Sequence, residues 1–127
     1  MQPLYILTGT VVHGRGVGHR FGLPTANLAP DSGQTLPPTG VYATRTVLNG
    51  RQITGVTNVG TRPTVDHEQD VTVETYLLDF SGDVYGQQLT VAFYQKLREL
   101  HRFENTQALR AQISRDEERA RALLDGQ

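Results

Sequence analysis

The sequence predicts a mainly β fold, an antiparallel barrel followed by one packed helix, and three observations predict it. Five or six short runs rich in β-branched residues follow one another, separated by breaks that contain Gly and Pro. The chain changes character once, near residue 104, from such runs to a single helical stretch. Strands joined in series by hairpins and short loops form antiparallel sheets, and closing about six of them into a barrel removes the exposed edges.

Ile6 to Val12 is the first strand candidate. A glycine-rich stretch from Gly14 to Gly22 runs into Pro24-Thr25-Ala26-Asn27, and Asp31 to Gly40 reads as a loop with Gly and Pro breaks. Val41 to Leu48 and Gln52 to Val59 read as strands joined at Asn49-Gly50, the pair suited to a type I′ turn because both central residues need positive φ. Gly60 to Asp70 reads as a loop. Val71 to Phe80 alternates, with Thr72, Glu74, Tyr76 and Leu78 on one face and Val71, Val73, Thr75 and Leu77 on the other. Ser81-Gly82-Asp83 makes a turn before a last strand, Gln88 to Tyr94. Asn105 or Thr106 caps a helix to about Leu124, with Leu109, Ile113, Ala120 and Leu124 on one face and Glu117 and Arg121 as an outer i,i+4 pair.

Composition narrows the function classes. A chain of 127 residues suits one domain with one core. Twelve basic against 13 acidic residues leave a net charge of −1, which gives no field for drawing in nucleic acid or an acidic membrane. Of the basic residues only Lys96 is lysine, and arginine is the better residue for fixed, planar hydrogen bonding. Cysteine is absent, which excludes disulfides and thiolate metal sites, and His13, His19, His67 and His101 lack metal-ligand spacing. The first ten residues have no basic region or long apolar run, and no stretch approaches the ~20 apolar residues that span a bilayer, so the expectation is a soluble, cytoplasmic protein.

Four segments are candidates for chemistry. Gly14, Gly16, Gly18 and Gly22 allow a close backbone approach, and successive N–H groups there suit an anion; the same glycines also suit a plain surface loop. Thr25 and Asn27 offer hard oxygen donors suited to Mg²⁺ beside a phosphate, or else an ordinary turn. Glu74, in the middle of a strand otherwise fit for burial, faces either solvent or a site where it serves as a base. Arg98 and Phe103 suit a flat ring with polar edges, or else a linker in which Phe103 staples the helix.

In this order the segments resemble the riboflavin kinase family, including the C-terminal kinase half of bacterial bifunctional FAD synthetases. The resemblance runs from about Thr8 to about Leu124. It is carried by Val12-His13-Gly14, Gly22-Leu23-Pro24-Thr25-Ala26-Asn27, Gly40-Val41-Tyr42-Ala43, Asn58-Val59-Gly60-Thr61-Arg62-Pro63-Thr64, Val73-Glu74-Thr75-Tyr76-Leu77-Leu78-Asp79-Phe80, Tyr85-Gly86, and Leu97-Arg98 ahead of Phe103.

The resemblance implies one domain over 1–127, a six-stranded antiparallel Greek-key barrel over about 4–95 with a C-terminal helix over about 105–124. It implies that riboflavin is phosphorylated to FMN with ATP and Mg²⁺. Thr25 and Asn27 would hold the metal and the nucleotide phosphates, and Glu74 would be the base. Gly14, Gly16, Gly18 and His19 would line the ATP phosphate site, with Leu77, Asp79 and Tyr85 near the nucleotide. Arg98, His101 and Phe103 match the flavin segment. The family commonly has Arg or Lys at the position of His19 and Glu at that of Leu100. A flavin- or nucleotide-binding regulator of the same fold is the alternative. The expected partners are riboflavin, FMN, ATP and ADP, with no nucleic acid and no membrane. The chain begins too close to these motifs to hold an adenylyltransferase domain, so FMN is the expected product. An adenylyltransferase would be a partner if the chain is a fragment of a larger enzyme.

Overall fold

A computed structural model describes residues 1–12, 25–63 and 69–125. Six strands, β1 (Tyr5–Val12), β2 (Thr25–Pro30), β3 (Gly40–Leu48), β4 (Arg51–Pro63), β5 (Gln69–Leu77) and β6 (Gln88–Arg98), precede one helix, α1 (Thr106–Leu124). The strands close into an antiparallel barrel in the order β1-β2-β5-β4-β3-β6. The β3–β4 hairpin turns at Asn49 and Gly50, whose φ angles of 50° and 79° are those of the expected type I′ turn.

The sequence-based boundaries need four corrections. Residues 25–30, left between a pair of oxygen donors and an ordinary turn by the sequence, form the sixth strand, and β2 is held by neighbours on both sides. The expected 60–70 loop is shorter, because β4 and β5 stay paired out to Pro63 and Gln69. β5 stops at Leu77 and not at Phe80; two residues on, Asp79 takes a φ of 54°, which no strand accommodates. β6 runs on past Tyr94 to Arg98, with register shifts against β3 between Val41 and Tyr42 and between Ala43 and Thr44. Such bulges bend a strand and redirect its side chains.

Inward-facing residues fill the barrel. Leu7, Leu28, Val59, Val73, Leu77, Leu89, Val91 and Phe93 make one apolar cluster, with the Tyr42 ring edge-on to Phe93 at 5.3 Å. Thr44, Thr57 and Thr75 are buried there too, and satisfy one another through a chain of hydroxyl contacts of 2.9 Å each. A Cβ at Gly55 would stand 2.8 Å from the Tyr76 carbonyl and 3.3 Å from Thr44 Oγ1, so glycine is what lets β4 and β5 close beside this chain.

A second cluster lies where α1 packs on the barrel. Ile113, Ala120 and Leu124 are buried with Val41, Ala43, Val56, Tyr76 and Leu97. Burying Ile113 or Leu124 contributes about 1.5–3 kcal/mol each. Asn105 caps the helix by accepting from the Ala108 N–H at 2.8 Å. At the other end, Arg45 donates to the Leu124 carbonyl and Thr54 to the Asp125 carboxylate. Arg119 donates to the Leu97 carbonyl at 2.7 Å. No helix among the described residues is long and apolar enough to cross a membrane.

Candidate active site

The polar residues on the outer face of β2, β5 and β4 fall into register. Glu74 is directly opposite Asn27 on one side and Asn58 on the other. Directly opposed residues in an antiparallel ladder put their side chains on one face, so the carboxylate lies between two amides. All three are half-buried. One step along the ladder, Tyr76 is opposite Thr25 and Val56, and this row is buried.

Tyr76 joins the two rows. It shares the outer face of β5 with Glu74, and its pKa is raised, first by burial and then by the charge of Glu74 and hydrogen bonding to that side chain. The positive charge of Arg98 opposes the shift, and the negative charge of Asp116 adds to it. The Tyr76 ring packs with Ile113, Ala120 and Leu124 of α1 in the second apolar cluster.

Arg98 ends β6 and forks onto Asp116 in the middle of α1. Its Nε lies 3.0 Å from both carboxylate oxygens and its Nη2 lies 2.8 Å from Oδ2. Gln112 Nε2 donates to Asp116 Oδ1 at 3.0 Å, and Arg98 Nη1 to the Glu99 carbonyl at 3.2 Å. The guanidinium stands 5.6 Å from the centre of the Phe103 ring, and His101 meets that ring edge-on at 4.9 Å. Arg98, His101 and Phe103, expected together from the sequence, are thus in contact, with the Arg98 fork turned to the helix.

Thr25 supplies the observation that bears on a metal. Its Oγ1 is buried without a hydrogen-bond partner among the described residues. A buried hydroxyl left without a partner costs free energy, which a ligand at that atom recovers. Two positions along β2, Asn27 brings an amide beside Glu74. Hydroxyl and amide oxygens are the hard donors that Mg²⁺ takes alongside phosphate. Among the described residues no group of three or more His, Asp or Glu converges as an alternative cation site.

The expected nucleotide-side residues are scattered. Leu77 has its side chain in the barrel core. Asp79 is exposed and ion-paired with Arg121 at 3.0 Å. Tyr85 is half exposed, its N–H bonded to Asp83 at 2.9 Å. Gly14, Gly16, Gly18 and His19 lie outside the described residues. Sequence reasoning gave no role to Asn58, Tyr76 or Asp116. Asp116 had a legible signal, an acid at i+3 from Ile113 and i−4 from Ala120 on the helix's own apolar face. Asn58 joins Glu74 only through cross-strand register, whereas Tyr76 shares its strand face.

A family model described as "Flavokinase: Riboflavin kinase" matches residues 1–124. A bifunctional riboflavin kinase/FMN adenylyltransferase of Pseudomonas fluorescens is 43% identical over 117 residues, which cover 92% of this chain and 37% of that protein. An RNA-binding riboflavin kinase, RibR, of Bacillus subtilis is 37% identical over 111 residues, 87% of this chain and 47% of that one. The crystal structure of riboflavin kinase from Trypanosoma brucei superposes with a TM-score of 0.68 at 26% identity, covering 98% of this chain and 82% of that chain. The chain thus spans less than half the length of these two curated relatives.

Proposed function

Because the chain belongs to the riboflavin kinase family, we propose that it transfers the γ-phosphoryl group of ATP to the 5′-hydroxyl of riboflavin, giving FMN and ADP. The observation that carries this reading is the outer-face row in which Glu74 stands between Asn27 and Asn58, beside the orphaned hydroxyl of Thr25.

Glu74 is the general base. It takes the proton of the 5′-hydroxyl as the new oxygen–phosphorus bond forms and the bond to the ADP oxygen breaks. Its place on a strand locked between two others fixes where the proton is collected, which is what a base needs from its scaffold. Thr25 Oγ1 and the Asn27 amide oxygen are the residues that would hold Mg²⁺. When bound, that ion supplies neutralisation of the charge spread over the phosphate oxygens. Positioning and charge neutralisation supply most of the catalysis in phosphoryl transfer, so a site with one carboxylate and few charged side chains is chemically adequate.

His101 and Phe103 offer ring surface for the flavin, and Arg98 fixes Phe103 from behind while held by Asp116. The Pseudomonas relative's name joins a riboflavin kinase to an FMN adenylyltransferase. In a longer protein of that kind, FMN formed here is the substrate of the second activity.

The test is turnover of purified protein with riboflavin, ATP and MgCl₂, the flavins being separated by chromatography. FMN that forms only with the divalent cation is the expected result. Saturable quenching of riboflavin fluorescence with no FMN would identify a flavin-binding regulator of the same fold.

A further inference from the structure

We infer that Asp116 is a positioning residue for the flavin: its carboxylate, buried on helix α1, sets the Arg98 guanidinium and through it the Phe103 ring, so that affinity for riboflavin, and not for ATP, depends on it. The inference rests on the reading of His101 and Phe103 as the flavin's ring surface.

Asp116 is 1% exposed, too buried to touch a ligand itself. A buried carboxylate is costly unless it is paired and hydrogen-bonded, and this one is both. Arg98 Nε lies 3.0 Å from each oxygen, Nη2 lies 2.8 Å from Oδ2, and Gln112 Nε2 lies 3.0 Å from Oδ1. The backbone that carries Arg98 is held as well. Arg98 stands opposite Val41 of β3, and Arg119 Nη1 donates to the Leu97 carbonyl at 2.7 Å. With both ends of the side chain held, the guanidinium is kept where it stands, 5.6 Å from the centre of the Phe103 ring.

Phe103 lies between β6 and α1, outside any strand or helix, and is half-buried. A ring in such a connection is placed by side-chain contacts, here the Arg98 guanidinium over it and the His101 ring edge-on at 4.9 Å. The attraction between a cation and a ring depends on where the cation stands. An amide at position 116 keeps one oxygen but turns donor hydrogens toward a donor fork, so the two-pronged grip on Arg98 is lost. A purely structural account, in which the pair only fastens α1 to the barrel, predicts lower stability and no difference between the two substrates.

The experiment reads riboflavin affinity by fluorescence quenching without ATP or metal, and affinity for ATP with MgCl₂ by calorimetry. Both are taken at a temperature at which each protein is folded by circular dichroism. The set is wild type, Asp116→Asn, Phe103→Leu, the pair together, and Ile113→Val, which loosens the same helix and leaves the carboxylate in place. Asp116→Asn should weaken riboflavin binding about fivefold to tenfold, the scale of one aromatic contact. Affinity for ATP should stay within about twofold. In the Phe103→Leu background the same change should cost no more than about twofold. Ile113→Val should leave both affinities within about twofold of wild type. Arg98→Lys keeps a charge beside Asp116 and gives up the fork, and takes the place of Asp116→Asn in the cycle if that variant is unfolded.

An Asp116→Asn loss that persists in full beside Phe103→Leu overturns the inference. So does one that falls equally on ATP, one that Ile113→Val reproduces, or no loss at all. None of these readings needs turnover, so a protein that binds riboflavin and makes no FMN fails as a kinase while still deciding the role of Asp116. Wild type that leaves riboflavin fluorescence unquenched removes the flavin surface and the inference with it.

Discussion

Arg98 and Asp116 bind one another from different elements, the last residue of β6 and the middle of α1, with the carboxylate 1% and the guanidinium 19% exposed. The two ends of this pair are unequal, and the inequality is measurable. Arg98→Ala leaves a buried carboxylate with, among the described residues, Gln112 to donate to it, at a cost of about 3–5 kcal/mol. Asp116→Asn leaves an arginine that still reaches solvent and keeps the amide oxygen and the Glu99 carbonyl as acceptors, at about 1–3 kcal/mol. Urea unfolding midpoints decide this, and an Asp116→Asn variant less stable than Arg98→Ala contradicts it.

Glu74→Gln keeps the shape of the side chain and removes its basicity. The fold should be unchanged by circular dichroism, and turnover to FMN should fall by about 10²–10⁴-fold. Turnover at the wild-type level would take Glu74 out of the mechanism.

Thr25→Val separates a binding role from a folding role. The substitution is close to isosteric and deletes a buried hydroxyl that has no partner among the described residues. Stability should stay level or rise by about 1 kcal/mol, since an unsatisfied buried group is removed. The Mg²⁺ concentration for half-maximal turnover should rise by about tenfold, the scale on which lost metal-site contacts act. An unchanged Mg²⁺ dependence counts against Thr25 as a ligand.

Glu117 gives the folded protein a pH signature. Burial pushes its carboxyl above the ordinary value of 4.5; Arg121, 4.0 Å away, pulls it back, and Asp79 and Asp116 push it further up. The folded chain therefore holds this proton more tightly than the unfolded chain. The stability that proton lends is present at low pH and is lost as pH rises from 4.5 through the raised value. Glu117→Gln should remove that part of the decline, seen as a flatter plot of unfolding free energy against pH. Identical slopes for the two proteins would rule the effect out.

Much of this architecture was legible from local chemistry. Asn49-Gly50 announced the hairpin, and the alternation of Val71 to Leu77 announced which side of β5 carries Glu74. The apolar stripe of Leu109, Ile113, Ala120 and Leu124 announced the helix face. Where reading failed, the deciding interaction was remote in sequence. Thr25-Ala26-Asn27 has turn-like residues, and only pairing with β1 and β5 makes it a strand. Arg98 reads as linker because bulges against β3, not its own neighbours, carry β6 that far. The site suffers most from this, since cross-strand register alone makes a group of Asn27, Glu74 and Asn58.

The placement of β2 has one further consequence. At six residues it is the shortest strand among the described residues, and it closes the ring between β1 and β5 while bearing Thr25 and Asn27. A ligand gripped by those two side chains is gripping the seam of the cylinder, so occupancy and closure are thermodynamically linked. Amide hydrogen exchange along 25–30 and its partners on β5 should slow on addition of Mg²⁺ and nucleotide. The seam strand then serves as a gauge of occupancy, readable amide by amide even when no phosphate is transferred.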